Sequence, residues 1–163
     1  MRNKRILCLL TLICLTVTAL PIMGVTALAS AKYYITVDIT NQIVTVYHNG
    51  NTSESGIVRQ MICSTGRNAT PTPTGTYSLP SKKYAQDRTE WYYFSEFNCY
   101  AKWAYHIVGG ILFHSNTVSN TKSKPSNGGL GHRASHGCIR MRVEDVKWIY
   151  ENCPEGTTVV VQE

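Results

Sequence analysis

Apolar and polar positions along most of this chain alternate one by one, the period of half-buried strands. In "YYITVDITNQIVTVYHNGN", β-branched and aromatic residues alternate with polar ones on both sides of "TNQ", which predicts a hairpin followed by a second turn at "NGN". "GIVRQMICSTG" predicts a strand ending at Gly66, and "TPTPTGTYSL" a proline-rich turn followed by a strand from Thr76. "WYYFSEFNCYAKWAYHI" and "GGILFHS" predict further strands, with "VGG" turning between them. One segment has a helical period instead. In "VEDVKWIYENCPEG", Val146, Ile149, Tyr150 and Cys153 fall on one face, and Pro154 with Gly156 stops the helix. "TTVVV" then predicts a buried closing strand. Many short strands with one late helix imply a mainly β domain, a sandwich or barrel. No internal repeat, low-complexity tract or linker divides it.

The front end follows another pattern. Arg2, Lys4 and Arg5 precede a nearly unbroken apolar run from Ile6 to Leu20, Pro21 breaks it, and Ala27 to Ala29 offer small residues for cleavage. This predicts a cleavable signal peptide over 1–29, and hence an exported protein with its domain over 32–163. A retained anchor is the alternative, but the run is short for a spanning helix of about 20 residues. The chain of 163 residues carries a formal charge of +6, and losing Arg2, Lys4 and Arg5 from its 16 basic residues leaves 13 against 10 acidic ones. So mild a balance, without a basic block, gives no reason to expect nucleic acid.

Export changes the reading of cysteine. Cys8 and Cys14 leave with the signal, while Cys63, Cys99, Cys138 and Cys153 remain, by default two disulfides. Yet Cys138 sits in "RASHGCIRM", after a long polar loop and beside a glycine, which a buried core cysteine does not need. Zinc ligation by Cys138 with His106, His114, His132 and His136 lacks the paired spacing of structural sites. A nucleophile explains more. A thiol needs a neighbouring base to supply its thiolate, and two histidines are candidates: His136, adjacent in sequence, and His114, ending "GGILFHS". Gly137 permits a tight turn that lets backbone amides converge on an oxyanion. A catalytic Cys138 leaves an odd thiol among Cys63, Cys99 and Cys153, so one bridge or none is expected.

"SHGCIRM", preceded by "FHS" and "CSTGRNATPTPTGTYSL", resembles the catalytic domain of the L,D-transpeptidases, the YkuD-type family of bacterial cell-wall enzymes. The resemblance runs from "ITVDITNQIVTVY" to "GTTVVV". It implies a compact β-sandwich-like domain with one C-terminal helix before the last strand. It implies Cys138 as nucleophile, His114 as general base oriented by the backbone carbonyl of Ser115, and His136 lining the site. The amides around Gly137 and Cys138 form the oxyanion hole, and Arg140 lies near the substrate. The His114-to-Ser135 spacer is longer than the family's usual pattern, so loop contacts do not carry over. The implied substrate is the peptidoglycan stem peptide, with no cofactor or metal and a monomeric enzyme. Cys138 attacks the bond before a terminal D-alanine, and a diamino-acid amine resolves the thioester into a 3-3 cross-link. Resolution by water, an L,D-carboxypeptidase, is one alternative, and a non-catalytic wall-binding module another. The polar loop Asn116 to Ala134, with Gly128, Gly129 and Gly131, has two readings, a surface insertion or a lid that closes over the substrate.

Overall fold

The structure is a computed structural model that describes residues 32–82 and 89–163. The apolar segment read as a signal peptide lies outside the described residues.

Among the described residues, ten strands and one α-helix follow in chain order: β1 Tyr33–Asp38, β2 Ile43–His48, β3 Ile57–Ser64, β4 Gly75–Ser78, β5 Trp91–Phe94, β6 Cys99–Lys102, β7 Tyr105–Val108, β8 Ile111–Ser115, β9 Ile139–Met141, α1 Val143–Asn152 and β10 Thr158–Gln162. Eight strands form one sheet in the order β4-β10-β1-β2-β3-β9-β8-β7, and β5 pairs with β6 in a separate hairpin. The β1–β2 hairpin closes antiparallel with Ile35 opposite Val46, through a turn in which Gln42 takes a left-handed φ of 57°. Two pairs are parallel, β1 with β10 and β8 with β9.

Burial in β1 alternates strictly: Tyr33, Ile35 and Val37 face inward while Tyr34, Thr36 and Asp38 are half-exposed. The edge strands β4 and β7 approach one another, so the sheet curls around its apolar face. Ile35, Val37, Val44 and Val46 from one half thereby meet Phe113, Ile139 and Met141 from the other in one cluster. Each such side chain contributes about 1.5–3 kcal/mol on burial. The mainly β, sandwich-like expectation holds.

Helix α1 adds Val146, Ile149 and Tyr150 to this core, and Cys153 follows them, 1% exposed, on the face that the periodicity predicts. Its N-terminus has no cap of its own, because Arg142 stands at the N-cap position. Asn127 supplies one from the loop before it: Val143 N–H donates to Asn127 Oδ1 at 3.0 Å, and Asn127 Nδ2 donates to Glu144 Oε2 at 2.9 Å. The loop over 116–134 is thus tied to the body. Asn116 Nδ2 donates to the carbonyls of Ser126 and Gly128, and Gly131 N–H to that of Cys63.

Candidate active site

β8 and β9 run parallel, with His114 opposite Arg140 and Phe113 opposite Ile139. Ile139 and Met141 point into the core. The residues that alternate with them, Cys138 and Arg140, line a cavity of about 260 Å³ together with His114. The two strands therefore deliver thiol, imidazole and guanidinium to one space.

His114 is 3% exposed. Its Nδ1 lies 2.5 Å from the carbonyl of Ser115. A carbonyl only accepts, so Nδ1 carries the proton and the neutral ring keeps its Nε2 lone pair available. Burial lowers the His114 pKa to about 4; the Ser115 hydrogen bond opposes this and the charge of Arg140 adds to it. Burial raises the Cys138 thiol above its ordinary value, with partial relief from the Leu112 backbone hydrogen bond and from Arg140. The resting pair is accordingly neutral thiol and neutral imidazole. A neutral thiol beside a neutral imidazole can pass on its proton during an attack and needs no preformed ion pair.

The turn before the thiol is built by hydrogen bonds. Ser135 Oγ accepts from Gly137 N–H at 3.0 Å and donates to the Cys138 carbonyl at 2.5 Å. The Thr72 hydroxyl donates to the Gly137 carbonyl at 2.7 Å while accepting from Gly66 N–H at 2.8 Å. Gly137 has φ +117°, and a Cβ there would stand 2.7 Å from Ile111 Cδ1. Only glycine suits this position. Its amide is engaged with Ser135 Oγ, which leaves the amide of Cys138 as the donor of that pair for an oxyanion.

His136 is exposed, and its ring stacks on Phe97 at 4.9 Å and 24°. Phe97 follows β5, whose Phe94 ring lies 5.0 Å from that of His114. The β5–β6 hairpin thus roofs the cavity. Lys102 N–H donates to Ser115 Oγ, and Tyr100 exchanges two backbone hydrogen bonds with Val118, fastening the roof to the end of β8. A second cavity of about 690 Å³ also borders Cys138 and shares Phe94, Phe97 and His136 with the first. Of the loop over 116–134, Thr117 reaches the first cavity. The loop is anchored at several points: Asn127 caps α1, the Gly131 amide bonds the Cys63 carbonyl, and Lys122 Nζ lies over the Tyr100 ring at 4.8 Å. Sequence reading saw strands in 91–107 but gave them no place over the site. The aromatic run "WYYF", set beside polar turns, was the available signal.

Cys63, Cys99, Cys138 and Cys153 are all free thiols. Burial pushes Cys63 and Cys153 up to about 12, which makes them inert. Among the described residues, no group of three His, Cys, Asp or Glu side chains is placed to hold a metal ion.

A curled β-sheet delivering a thiol and an oriented imidazole to one cavity defines the class. A family model for the L,D-transpeptidase catalytic domain, YkuD, matches residues 32–161, and the chain belongs to that family. The L,D-transpeptidase-family protein YciB of Bacillus subtilis (strain 168) is 32% identical over 137 residues, covering 78% of this chain and 64% of that protein. An L,D-transpeptidase from Mycobacterium smegmatis superposes with a TM-score of 0.59 at 23% identity, covering 82% of this chain and 59% of that one. A fused Zn-dependent amidase/peptidase/peptidoglycan-binding domain-containing protein from Clostridium acetobutylicum gives 0.61 at 27%, covering 80% and 52%. The chain spans about two thirds or less of the length of each.

Proposed function

We propose that this protein is an exported cysteine-dependent acyltransferase that forms 3-3 cross-links in peptidoglycan. The observation that carries the reading is the cavity shared by Cys138 and a His114 whose Nδ1 is held on the Ser115 carbonyl. Cys138 Sγ attacks the carbonyl between the third stem residue and a terminal D-alanine, and its proton passes to His114 Nε2. The Cys138 amide holds the oxyanion, and exposed His136 borders the site without touching the transferred proton. Collapse of the intermediate breaks the C–N bond, and His114 returns the proton to the departing amine. The thioester keeps the energy of the broken bond, so neither nucleotide nor metal enters the scheme. The side-chain amine of a neighbouring stem then attacks and gives its proton to His114; collapse breaks the C–S bond, and His114 returns that proton to the departing sulfur.

Two cavities meeting at Cys138 favour transfer over hydrolysis, because transfer needs room for two peptides and hydrolysis for one. The test is mass analysis of muropeptides after incubation of the protein with stem-bearing wall, with carbapenem labelling of the thiols alongside. We expect dimers joined through third residues and a single adduct, on Cys138, that Cys138→Ala removes. Trimmed stems alone assign an L,D-carboxypeptidase. An unlabelled Cys138 leaves a wall-binding module.

A further inference from the structure

We propose that the outer face of the β5–β6 hairpin is a glycan-binding platform, on which a wall sugar strand lies while its stem enters the site below. The platform goes beyond the reading above and rests on it only for the identity of the polymer.

The first argument is register. In the hairpin, Trp91 stands opposite Lys102, Tyr92 opposite Ala101, Tyr93 opposite Tyr100 and Phe94 opposite Cys99. Opposed residues share a face, and successive pairs alternate between the two faces. Tyr92, Ala101, Phe94 and Cys99 make the face toward the body. Ala101 is fully buried, the Tyr92 ring meets that of His106 at 5.7 Å, and Phe94 and Cys99 line the cavity of Cys138. Trp91, Tyr93, Tyr100 and Lys102 make the opposite face. Its three rings are half-exposed and lie outside the core cluster.

The second argument is the chemistry of that face. The Tyr100 ring lies 4.8 Å from that of Tyr93 and 6.3 Å from that of Trp91. The Tyr93 hydroxyl donates to Asn98 Oδ1 at 2.9 Å, which holds its ring in place. Lys102 Nζ stands 4.7 Å from the Trp91 centroid and pairs with Glu90. Lys122 Nζ reaches in from the loop over 116–134 to 4.8 Å from the Tyr100 centroid, and among the described residues no Asp or Glu pairs with it. An aromatic cross-strand pair steadies a hairpin, but it does not call for an exposed cation from a separate loop. Amphipathic rings held rigid, rimmed by hydroxyls, an indole N–H and ammonium groups, complement a pyranose. Such a sugar offers C–H groups on its flat side and hydroxyl and acetamido oxygens at its edge.

The third argument is place. Tyr93 and Phe94 both border the cavity of about 690 Å³ that reaches Cys138, so platform and site are continuous around the hairpin. Three stem residues span about 10 Å when extended, about the thickness of one strand layer with its side chains. A glycan resting on the outer face can therefore lower the third residue of its stem toward the thiol.

The test follows the isotope-labelled protein by NMR during titration with wall glycan from which the stems have been cleaved. We expect saturable shifts at the Trp91 indole N–H and at the amides of Tyr93 and Tyr100, the same in Cys138→Ala as in the wild type. Trp91→Ala and Tyr100→Ala should each weaken binding roughly 10- to 30-fold, as truncation of a Trp or Tyr anchor implies. Lys122→Ala leaves every ring in place and should weaken it by a smaller factor, which a merely loosened hairpin does not explain. The shift map itself needs no variant. Absence of saturable shifts would overturn the platform, as would shifts confined to Phe94 and His136, which put the sugar inside the site. Binding of an anionic phosphodiester polymer but not of the stem-free glycan would overturn it too, and assign the face to a polyanion. Cross-linking activity without glycan binding removes the platform alone. Glycan binding without any acylation of Cys138 by stems removes the transpeptidase reading and leaves the platform standing.

Discussion

Gln42 grips Thr65 at two points. Its Nε2 donates to the Thr65 hydroxyl at 2.7 Å, and its Oε1 accepts the Thr65 amide at 2.8 Å. The Thr65 carbonyl in turn accepts from Ala134 and Ser135, at the start of the turn that carries Cys138. A residue in the first hairpin therefore braces the candidate nucleophile. Gln42 is 4% exposed, so Gln42→Ala strands a buried amide and hydroxyl. We expect a loss of about 1–3 kcal/mol in urea unfolding, with slower labelling of Cys138. Unchanged labelling would show that the Cys138 turn holds its shape without this brace.

The two histidines differ in burial and should differ in effect. His114→Ala should lower the acylation rate on the order of 10²–10⁴-fold, the range for a general base. His136→Ala should cost far less, and its effect should appear mainly in KM and be shared with Phe97→Ala, since each ring supports the other. Stopped-flow acylation separates these outcomes. Equal losses from His114→Ala and His136→Ala would reassign the base.

Burial of His114 also makes stability depend on pH. The unfolded chain protonates this histidine below about pH 6.5, whereas the folded chain does so only near 4. Between those values the unfolded state binds more protons, so stability rises with pH. The contribution is complete above about 6.5 and is lost as pH falls toward 4, on the order of 3 kcal/mol. Asp145, whose carboxyl burial raises, works in the opposite direction. Urea midpoints between pH 7 and 4.5 should therefore fall for the wild type and flatten in His114→Gln. Parallel curves would assign the slope to other groups.

Because Asn127 caps α1 from outside, the loop before β9 should matter to stability more than to the reaction. Asn127→Ala is expected to cost about 0.5–2 kcal/mol, the range for a lost N-cap. Shortening Ser119 to Gly129 should lower Tm further and leave the ratio of hydrolysed to transferred product unchanged. A rise in hydrolysis without a fall in Tm would assign the loop as a lid.

The strands and the helix were legible because their signals are local. Alternation marks β1 and β2, an unbroken run of valines marks β10, and the 3.6-residue period of Val146, Ile149 and Tyr150 marks α1. The strand β9 was missed because three residues show no period, and its partners β3 and β8 lie far away in sequence. At the site, the resemblance carried by "SHGC" and "FHS" named Cys138, His114, His136 and Arg140, which line one cavity, but not Phe94, Phe97, Cys99 or Thr117, which line it too. What stayed hidden were supports that act across the fold. The Thr72 hydroxyl reaches Gly137 over 65 residues, and Gln42 reaches Thr65 over 23. A lone threonine among prolines or a glutamine in a turn carries no sign of its distant partner. The loop over 116–134 stayed open between insertion and lid, because polar, glycine-rich composition is common to both; its anchor to α1 through Asn127 has no sign in the sequence.

The place of β10 between β4 and β1 has a temporal consequence. Strand β4 pairs with no other strand of the sheet, and β1 keeps a bare edge until Thr158–Gln162 docks in parallel beside it. Joining segments more than a hundred residues apart pays its loop entropy before any contact repays it, which slows folding and makes it concerted. The β1–β2–β3 pairings need no distant partner, but closing the sheet between β4 and β1 waits on Thr158–Gln162.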